Sequence, residues 1–229
     1  MTSRIAVVAT LLAAGALAPS PVEAHSAGPS LPDEFIRGAF SPTFVPPEPG
    51  TYELPAIKRV GGFTLRDTAG RLVDTRSTMA GKVAVVSFIY TACPDRLGCP
   101  LASSTLRNLQ SRLRESGLAR QTALVTISFD PERDHPAQLA KYAKVYDADP
   151  AFWRFFTAPS GRVLDAVLES YGQDRTPERD EHGRSTGRIR HVLKVFLVDR
   201  DGFIRNVYSA GFLVPELVIN DIRTVLGAR

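Results

Sequence analysis

The middle of this chain alternates between continuous apolar runs and apolar residues at helical spacing. Residues 83–90 are apolar almost throughout, which is typical of strands covered on both faces of a sheet, and residues 122–128 are predicted to form a second strand. Pro100 suits the first turn of a helix. The inner stripe of that helix consists of four leucines: Leu101, Leu106, Leu109 and Leu113. Strands that alternate with helices predict an α/β fold, a three-layer sandwich.

The rest of the pattern predicts two hairpins and three further helices. We predict hairpins over 63–73 and 192–208, a short strand over 153–157, and helices over 136–146, 160–171 and 215–226. The first hairpin is an N-terminal extension of the sandwich. Residues 172–189 are polar and contain glycine, so we expect a long loop there.

The first residues show the pattern of a cleavable export signal. Arg4 precedes an apolar run over 5–18, which is shorter than the roughly 20 residues that span a bilayer, and small residues follow. We predict a signal peptide over 1–24, cleaved after Ala18 or after Ala24. We therefore expect a periplasmic or secreted protein that is peripheral to a membrane at most.

Composition divides the remaining chain into a tether and one domain. Residues 25–56 contain seven prolines and little periodicity, which predicts an extended tether. Residues 57–229 are predicted to form a single domain. The chain has 28 basic and 24 acidic residues, a net charge of +4, without a dense block of Lys and Arg. We therefore expect no nucleic-acid partner, whereas an acidic protein surface remains open as a partner.

Two cysteines carry the main chemical signal. Cys93 and Cys99 are the only cysteines of the chain, and they lie between a predicted buried strand and a predicted helix. Such a pair can form a disulfide, exchange disulfides with a partner, or hold a soft metal. A disulfide across six residues would stabilise the fold little, so a functional dithiol is favoured. Arg96 and the helix N-terminus would both favour thiolates.

One of the four histidines could join the cysteines. His191 stands before the predicted strand over 192–198; if that strand runs antiparallel to 83–90, His191 lies beside the cysteines. The alternative is a histidine at a strand edge that binds nothing. His25 lies in the tether, His135 at a predicted helix start, and His182 in the predicted loop.

Three motifs in this order resemble the Sco/SenC family, the thioredoxin-like copper proteins of cytochrome oxidase assembly. The first is Val86-Ser-Phe-Ile-Tyr-Thr-Ala-Cys-Pro with Cys-Pro100, and the second is Ile127-Ser-Phe-Asp-Pro-Glu-Arg-Asp134. The third is His191 followed by Val198-Asp-Arg-Asp-Gly202. The resemblance covers residues 57–228.

The resemblance implies a thioredoxin-like fold and a copper site formed by Cys93, Cys99 and His191. Thiolates favour Cu(I), and imidazole extends the site to Cu(II). Asp130 could be an outer hydrogen-bond acceptor of the site or a turn cap. The implied function is an exported metallochaperone that delivers copper to an apo copper protein such as an oxidase subunit.

The alternative function is a thiol–disulfide oxidoreductase that reduces a partner's cysteines before metallation. A peroxide-reducing enzyme and an interaction module with an inert disulfide are weaker alternatives. The chain departs from the family spacing Cys-x3-Cys by two extra residues, which loosens the chelate. Arg190 stands where the family often has an acidic residue, and positive charge there disfavours a bound cation. Both departures favour redox exchange over metal storage.

Overall fold

A computed structural model describes residues 44–227, and an eight-stranded mixed sheet forms its centre. The sheet order is β1-β10-β9-β4-β5-β6-β2-β3, and β7 pairs with β8 in a separate hairpin. The strands are β1 (Lys58–Arg59), β2 (Thr64–Asp67), β3 (Leu72–Asp74), β4 (Val83–Ile89), β5 (Thr122–Ser128), β6 (Trp153–Thr157), β7 (Thr176–Arg179), β8 (Ser185–Arg190), β9 (Val195–Val198) and β10 (Phe203–Tyr208).

Helices cover the sheet on both faces. They are α1 (Thr75–Met79), α2 (Cys99–Glu115), α3 (Pro136–Val145), α4 (Gly161–Tyr171) and α5 (Pro215–Gly227). Every residue of β4 is buried. Because successive side chains of a strand point to opposite faces, both faces of the sheet centre must be covered. The predicted three-layer α/β arrangement is therefore confirmed.

The register of the central strands creates the edge at which the site lies. β4 and β5 are parallel, and Ile89 pairs with Ser128 at their carboxyl ends. β9 runs antiparallel to β4, with Val195 opposite Ser87. The antiparallel pairing assumed for His191 is thus present, and it brings the start of β9 to the carboxyl end of β4.

Two predictions about the segment before β9 were wrong. Residues 172–189 do not form one long loop, because β7 and β8 pair antiparallel there, with Thr176 opposite Arg190. Most residues of this hairpin are exposed, so it shows no apolar alternation by which a sequence pattern could identify it. The strand predicted from Val192 begins only at Val195, because its pairing with β4 starts there, with Val195 opposite Ser87.

The residues before the first strand lie against α5. The Gly50 amide donates to Thr224 Oγ1 at 3.0 Å, and Asn220 Nδ2 donates to the Pro47 carbonyl at 2.9 Å. The Tyr52 hydroxyl donates to the buried Asp221 carboxylate. The predicted signal peptide and most of the predicted tether lie outside the described residues. Within 44–227, we find no helix with the length and apolar character needed to cross a bilayer.

Candidate metal centre

Cys99 is held at the first residue of α2, in the core of the protein. Its side chain is fully buried, and the Tyr90 amide donates a hydrogen bond to its sulfur at 3.4 Å. Pro100 follows in the first helical turn, where its missing N–H costs no hydrogen bond. The end of β4 and the start of α2 therefore fix the Cys99 sulfur together.

Cys93 lies in the loop between β4 and α2 and is only partly buried. Its amide donates to the Tyr90 carbonyl at 3.2 Å, and its thiol lies 3.7 Å from the Asp95 carbonyl. The Asp95 carboxylate accepts from the Leu97 amide at 2.9 Å, which stabilises the turn between the cysteines. The loop thus holds Cys93 by local hydrogen bonds, in contrast to the core contacts around Cys99.

His191 follows β8 and presents one ring nitrogen to the cysteines. Its Nδ1 lies 3.0 Å from the Ile189 carbonyl, and its Nε2 lies 3.7 Å from the Cys99 sulfur. Since a carbonyl only accepts hydrogen bonds, Nδ1 donates in this contact, and the neutral ring then directs the Nε2 lone pair at the cysteines. The ring packs against Phe129 and Tyr90, at centroid distances of 4.8 and 5.7 Å.

The three predicted ligand atoms meet in one cluster. The sulfurs of Cys93 and Cys99 and a ring nitrogen of His191 all lie within 4.8 Å of one another. Two thiols and one imidazole with a free lone pair make a donor set suited to a soft or borderline metal ion. A structural zinc site normally has four protein ligands, so a three-ligand set leaves one position open.

The pKa values of the two thiols are shifted in opposite directions. Hydrogen bonding from the Cys99 side chain lowers the pKa of Cys93 to about 6, with help from the backbone of Cys99 and Asp95. Burial raises the pKa of Cys99 well above its usual range. The expected effect of the helix N-terminus on Cys99 is therefore outweighed by loss of water around its sulfur. Burial also raises the pKa of the neighbouring Tyr90 hydroxyl to about 12.

The carboxylate that ties the cysteine loop to the sheet is Asp134, which sequence reasoning missed. It is 1% exposed and accepts hydrogen bonds from the Thr91 amide at 3.0 Å and from the Thr91 hydroxyl. It also accepts from the Ser128 hydroxyl at 2.6 Å, at the end of β5. The only sequence signal was its place at the end of the second motif.

Asp130, which was considered for an outer role at the site, is engaged elsewhere. Its carboxylate pairs with Arg133, and its carbonyl accepts from the Asp134 amide at 2.7 Å, so it stabilises the turn after β5. Of the other histidines, His135 caps α3 by accepting from the Gln138 amide, as its position predicted. His182 is exposed beside Glu181 in the β7–β8 turn. His25 lies outside the described residues.

The fold and the cluster define a class: a thioredoxin-like α/β protein with two cysteines and a histidine grouped at the carboxyl edge of its sheet. The family model SCO1/SenC matches residues 53–227, about three quarters of the chain. The protein belongs to the SCO1/SenC family.

Relatives from several bacteria share most of the chain. A Bacillus subtilis (strain 168) protein named SCO1 protein homolog is 27% identical over 173 residues, covering 74% of this chain and 84% of that protein. A Stutzerimonas stutzeri protein named "Putative copper-binding protein" is 31% identical over 175 residues, covering 76% and 78%. The solved structure of Bradyrhizobium japonicum ScoI with copper bound matches with a TM-score of 0.59 and 25% identity, covering 73% of this chain and 99% of that one.

Proposed function

We propose that this protein is an exported copper metallochaperone that binds one copper ion through Cys93, Cys99 and His191 and transfers it to an apo copper site, such as that of a respiratory oxidase subunit. The observation that carries this proposal is the convergence of the three ligand atoms within 4.8 Å. Membership of the SCO1/SenC family supports it, as does the copper bound to the related ScoI structure.

The geometry supports binding followed by release. Cys93 carries a thiolate at neutral pH because its pKa is lowered, whereas Cys99 must give up its proton when the metal enters. His191 is held with Nε2 already directed at the site, so imidazole binding needs little reorganisation. The open coordination position lets a ligand of the recipient attach before the donor's ligands leave.

Competitive titration of the anaerobically reduced protein tests this proposal. We expect one tightly bound Cu(I) in the wild type, and a loss of at least about 100-fold in affinity in Cys93→Ser, because a hydroxyl is a poor ligand for Cu(I). His191→Ala should weaken Cu(II) more than Cu(I). The matched control His182→Ala removes an exposed histidine and should change neither ion.

Two results would contradict the proposal. Weak or absent Cu(I) binding by the wild type would mean that the longer Cys-x5-Cys loop has lost the copper site. Equal retention of both copper ions by His191→Ala would remove the histidine from the ligand set.

The second candidate function is thiol–disulfide exchange with a partner protein. One observation favours it: the pKa values of the two free thiols are shifted in opposite directions, and the more accessible thiol has the lowered pKa. In this role Cys93 attacks a partner disulfide and Cys99 then displaces the partner thiol, leaving a Cys93–Cys99 disulfide and a reduced partner. The two sulfurs, which lie within 4.8 Å of each other, would have to approach to about 2.05 Å, so this role requires the Cys93 loop to move.

The redox role has its own test. The reduced protein should convert a mixed glutathione disulfide of a model dithiol peptide to the reduced peptide, with Cys93→Ser inactive and Cys99→Ser trapped as a mixed disulfide. A Cys93–Cys99 disulfide that glutathione and dithiothreitol leave intact would exclude this role while leaving copper binding by the reduced protein open.

A further inference from the structure

Two arginines beside the site differ from the arginines of α2 in their ion pairing. On α2, three arginines pair with carboxylates of neighbouring segments: Arg107 with Asp147, Arg112 with Glu216 and Arg114 with Asp149. Arg188 and Arg190 lie on β8 directly before His191, and both are exposed. Within residues 44–227, neither of them has a carboxylate at ion-pair distance. Their charge is therefore available to a partner.

Exposed apolar side chains lie next to the same ligands. Leu97, between the two cysteines, is 44% exposed, and Val192, directly after His191, is 65% exposed. Val145, at the end of α3, is 50% exposed and lines a cavity together with Cys93. The exposure of large apolar side chains to water is unfavourable, and a group of them around one site is typical of a contact surface.

The cavity beside Cys93 has a volume of about 180 Å³. Its wall includes three tyrosines, Tyr90, Tyr142 and Tyr146, and the exposed Lys141 lies at its rim. Space of this size accepts one apolar side chain, and aromatic walls with a polar rim are common in protein interfaces. Cys93 thus lines an aromatic cavity, and His191, which lies within 4.8 Å of it, directly follows a strand with two exposed arginines.

We propose that Leu97, Lys141, Val145, Arg188, Arg190 and Val192 form a docking surface for an acidic protein partner, which brings its own metal-binding residues to Cys93. This inference deepens the proposed function, because the partner is the recipient of the copper. Carboxylates of the partner pair with Lys141, Arg188 and Arg190, and one apolar side chain enters the cavity. Asp95 is the acidic residue of the cysteine loop, and its carboxylate is already bonded to the Leu97 amide.

The charge distribution favours a protein over an anionic membrane. The outer part of the β7–β8 hairpin carries Glu178, Asp180 and Glu181 beside Arg179 and Arg184, and Asp180 pairs with Arg184, so this part of the hairpin adds no net positive charge that would hold a flat anionic surface. A folded partner can present its carboxylates only at the arginines. A second copy of this chain is disfavoured because two copies of the same basic surface repel one another.

A metal-free binding experiment tests docking separately from copper transfer. The probes are two fluorescein-labelled peptides with one central leucine: one rich in Asp and Glu, the other with Asn and Gln in their place. The double variant Arg188→Gln/Arg190→Gln is compared with Lys82→Gln/Arg120→Gln. This control makes the same charge change within two residues of the starts of β4 and β5, at the opposite end of these strands from the site. Binding is followed by fluorescence anisotropy at low and high salt.

We expect the wild type to prefer the acidic peptide, with a preference that falls as salt rises. The Arg188/Arg190 variant should lose about fivefold in affinity for the acidic peptide, since it removes two exposed ion pairs, each of which contributes little by itself. The Lys82/Arg120 control should keep the wild-type affinity. Val192→Ser should weaken both peptides similarly, independently of salt.

Equal binding of the two peptides by the wild type, or equal losses in the two double variants, would overturn the docking surface. Loss of binding to phosphatidylglycerol vesicles in the Arg188/Arg190 variant, without a change in peptide binding, would assign the arginines to a membrane instead. If the wild type binds no copper but discriminates the peptides as described, the metallochaperone proposal fails and the surface stands.

Discussion

Cys93 and Cys99 carry the same thiol group in two different kinds of structure. Cys99 begins a 17-residue helix and is fully buried against the end of β4. Cys93 lies in a loop whose hydrogen bonds are local, and its side chain reaches the surface. Burial raises the pKa of Cys99, whereas hydrogen bonds from Cys99 lower the pKa of Cys93.

The difference assigns the two thiols different tasks. In the proposed functions, a thiolate at an accessible position meets an incoming metal ion or a partner disulfide first, and Cys93 would provide it. A buried sulfur fixed by the fold defines where the second bond forms, and Cys99 provides it. The loop that carries Cys93 is joined to the sheet through Tyr90 and the Thr91–Asp134 contacts.

The largest expected effect is the difference in reactivity between the thiols. At pH 7, limiting iodoacetamide should modify Cys93 on the order of 100-fold faster than Cys99 in the reduced protein, because only Cys93 is mostly thiolate and accessible. Mass spectrometry of proteolytic peptides measures the ratio. In concentrated urea the two cysteines should react at similar rates. If they also reacted at similar rates in the folded protein, the proposed difference between the two thiols would be wrong.

The pH dependence sharpens the comparison. Because the pKa of Cys93 is lowered to about 6, its thiolate is present above this pH and is lost as pH falls through it. Alkylation of Cys93 should therefore slow about tenfold between pH 7 and pH 5. Cys99→Ala should move the midpoint upwards more than Cys99→Ser, since serine keeps a hydrogen-bond donor. A midpoint near pH 9 in the wild type would contradict the assignment.

A comparison of two buried carboxylates distinguishes an effect on the cysteine loop from an effect on overall stability. Asp134 accepts three hydrogen bonds around Thr91 and Ser128, and Asp221 accepts from Tyr52, Tyr208 and Asn206 near α5. We expect Asp134→Asn and Asp221→Asn each to lower the free energy of unfolding by about 2 kcal/mol, measured by urea denaturation.

Only one of these variants should affect Cys93. Asp134→Asn should change the alkylation rate of Cys93 about threefold, because Thr91 is two residues from Cys93, whereas Asp221→Asn should leave that rate unchanged. Equal effects of both variants on alkylation would mean that Asp134 acts through global stability rather than on the loop.

The smallest effect concerns the turn between the cysteines. Asp95→Ala removes the acceptor of the Leu97 amide, and Asp74→Ala removes the equivalent acceptor of the Arg76 amide at the start of α1. Asp74→Ala should cost about 1 kcal/mol of stability as a helix cap. Asp95→Ala should cost less than about 0.5 kcal/mol because its turn is exposed, while it alone changes Cys93 alkylation. A larger stability loss in Asp95→Ala would show that the loop is part of the cooperative core.

The sequence was sufficient for the parts of the fold that bury apolar side chains. β4, β5 and α2 have strong periodic patterns, and each lies where it was predicted. The β7–β8 hairpin was missed because exposed strands need no apolar alternation. Its strands are recognisable only from their pairing, which is a property of the folded chain.

The site was predictable to a similar extent. The cysteines follow from their place between a strand and a helix, but the position of His191 required an assumption about strand direction that only the sheet could test. The role of Asp134 at the cysteine loop was missed because the contact that ties it to this loop, with Thr91, spans 43 residues. A hydrogen bond of that separation leaves no local pattern around either residue.

The chain distance between the two sides of the site links metal binding to folding. Cys99 and His191 are 92 residues apart, so their meeting depends on the pairing of β4 with β9. Closing a flexible loop of this length costs the unfolded chain about 4 kcal/mol of entropy. An ion held by all three side chains would therefore act as a removable cross-link, and it would raise the unfolding temperature further as the free ion concentration rises above its Kd. An unfolded chain could offer only its dithiol, so the complete ligand set would distinguish folded from unfolded molecules.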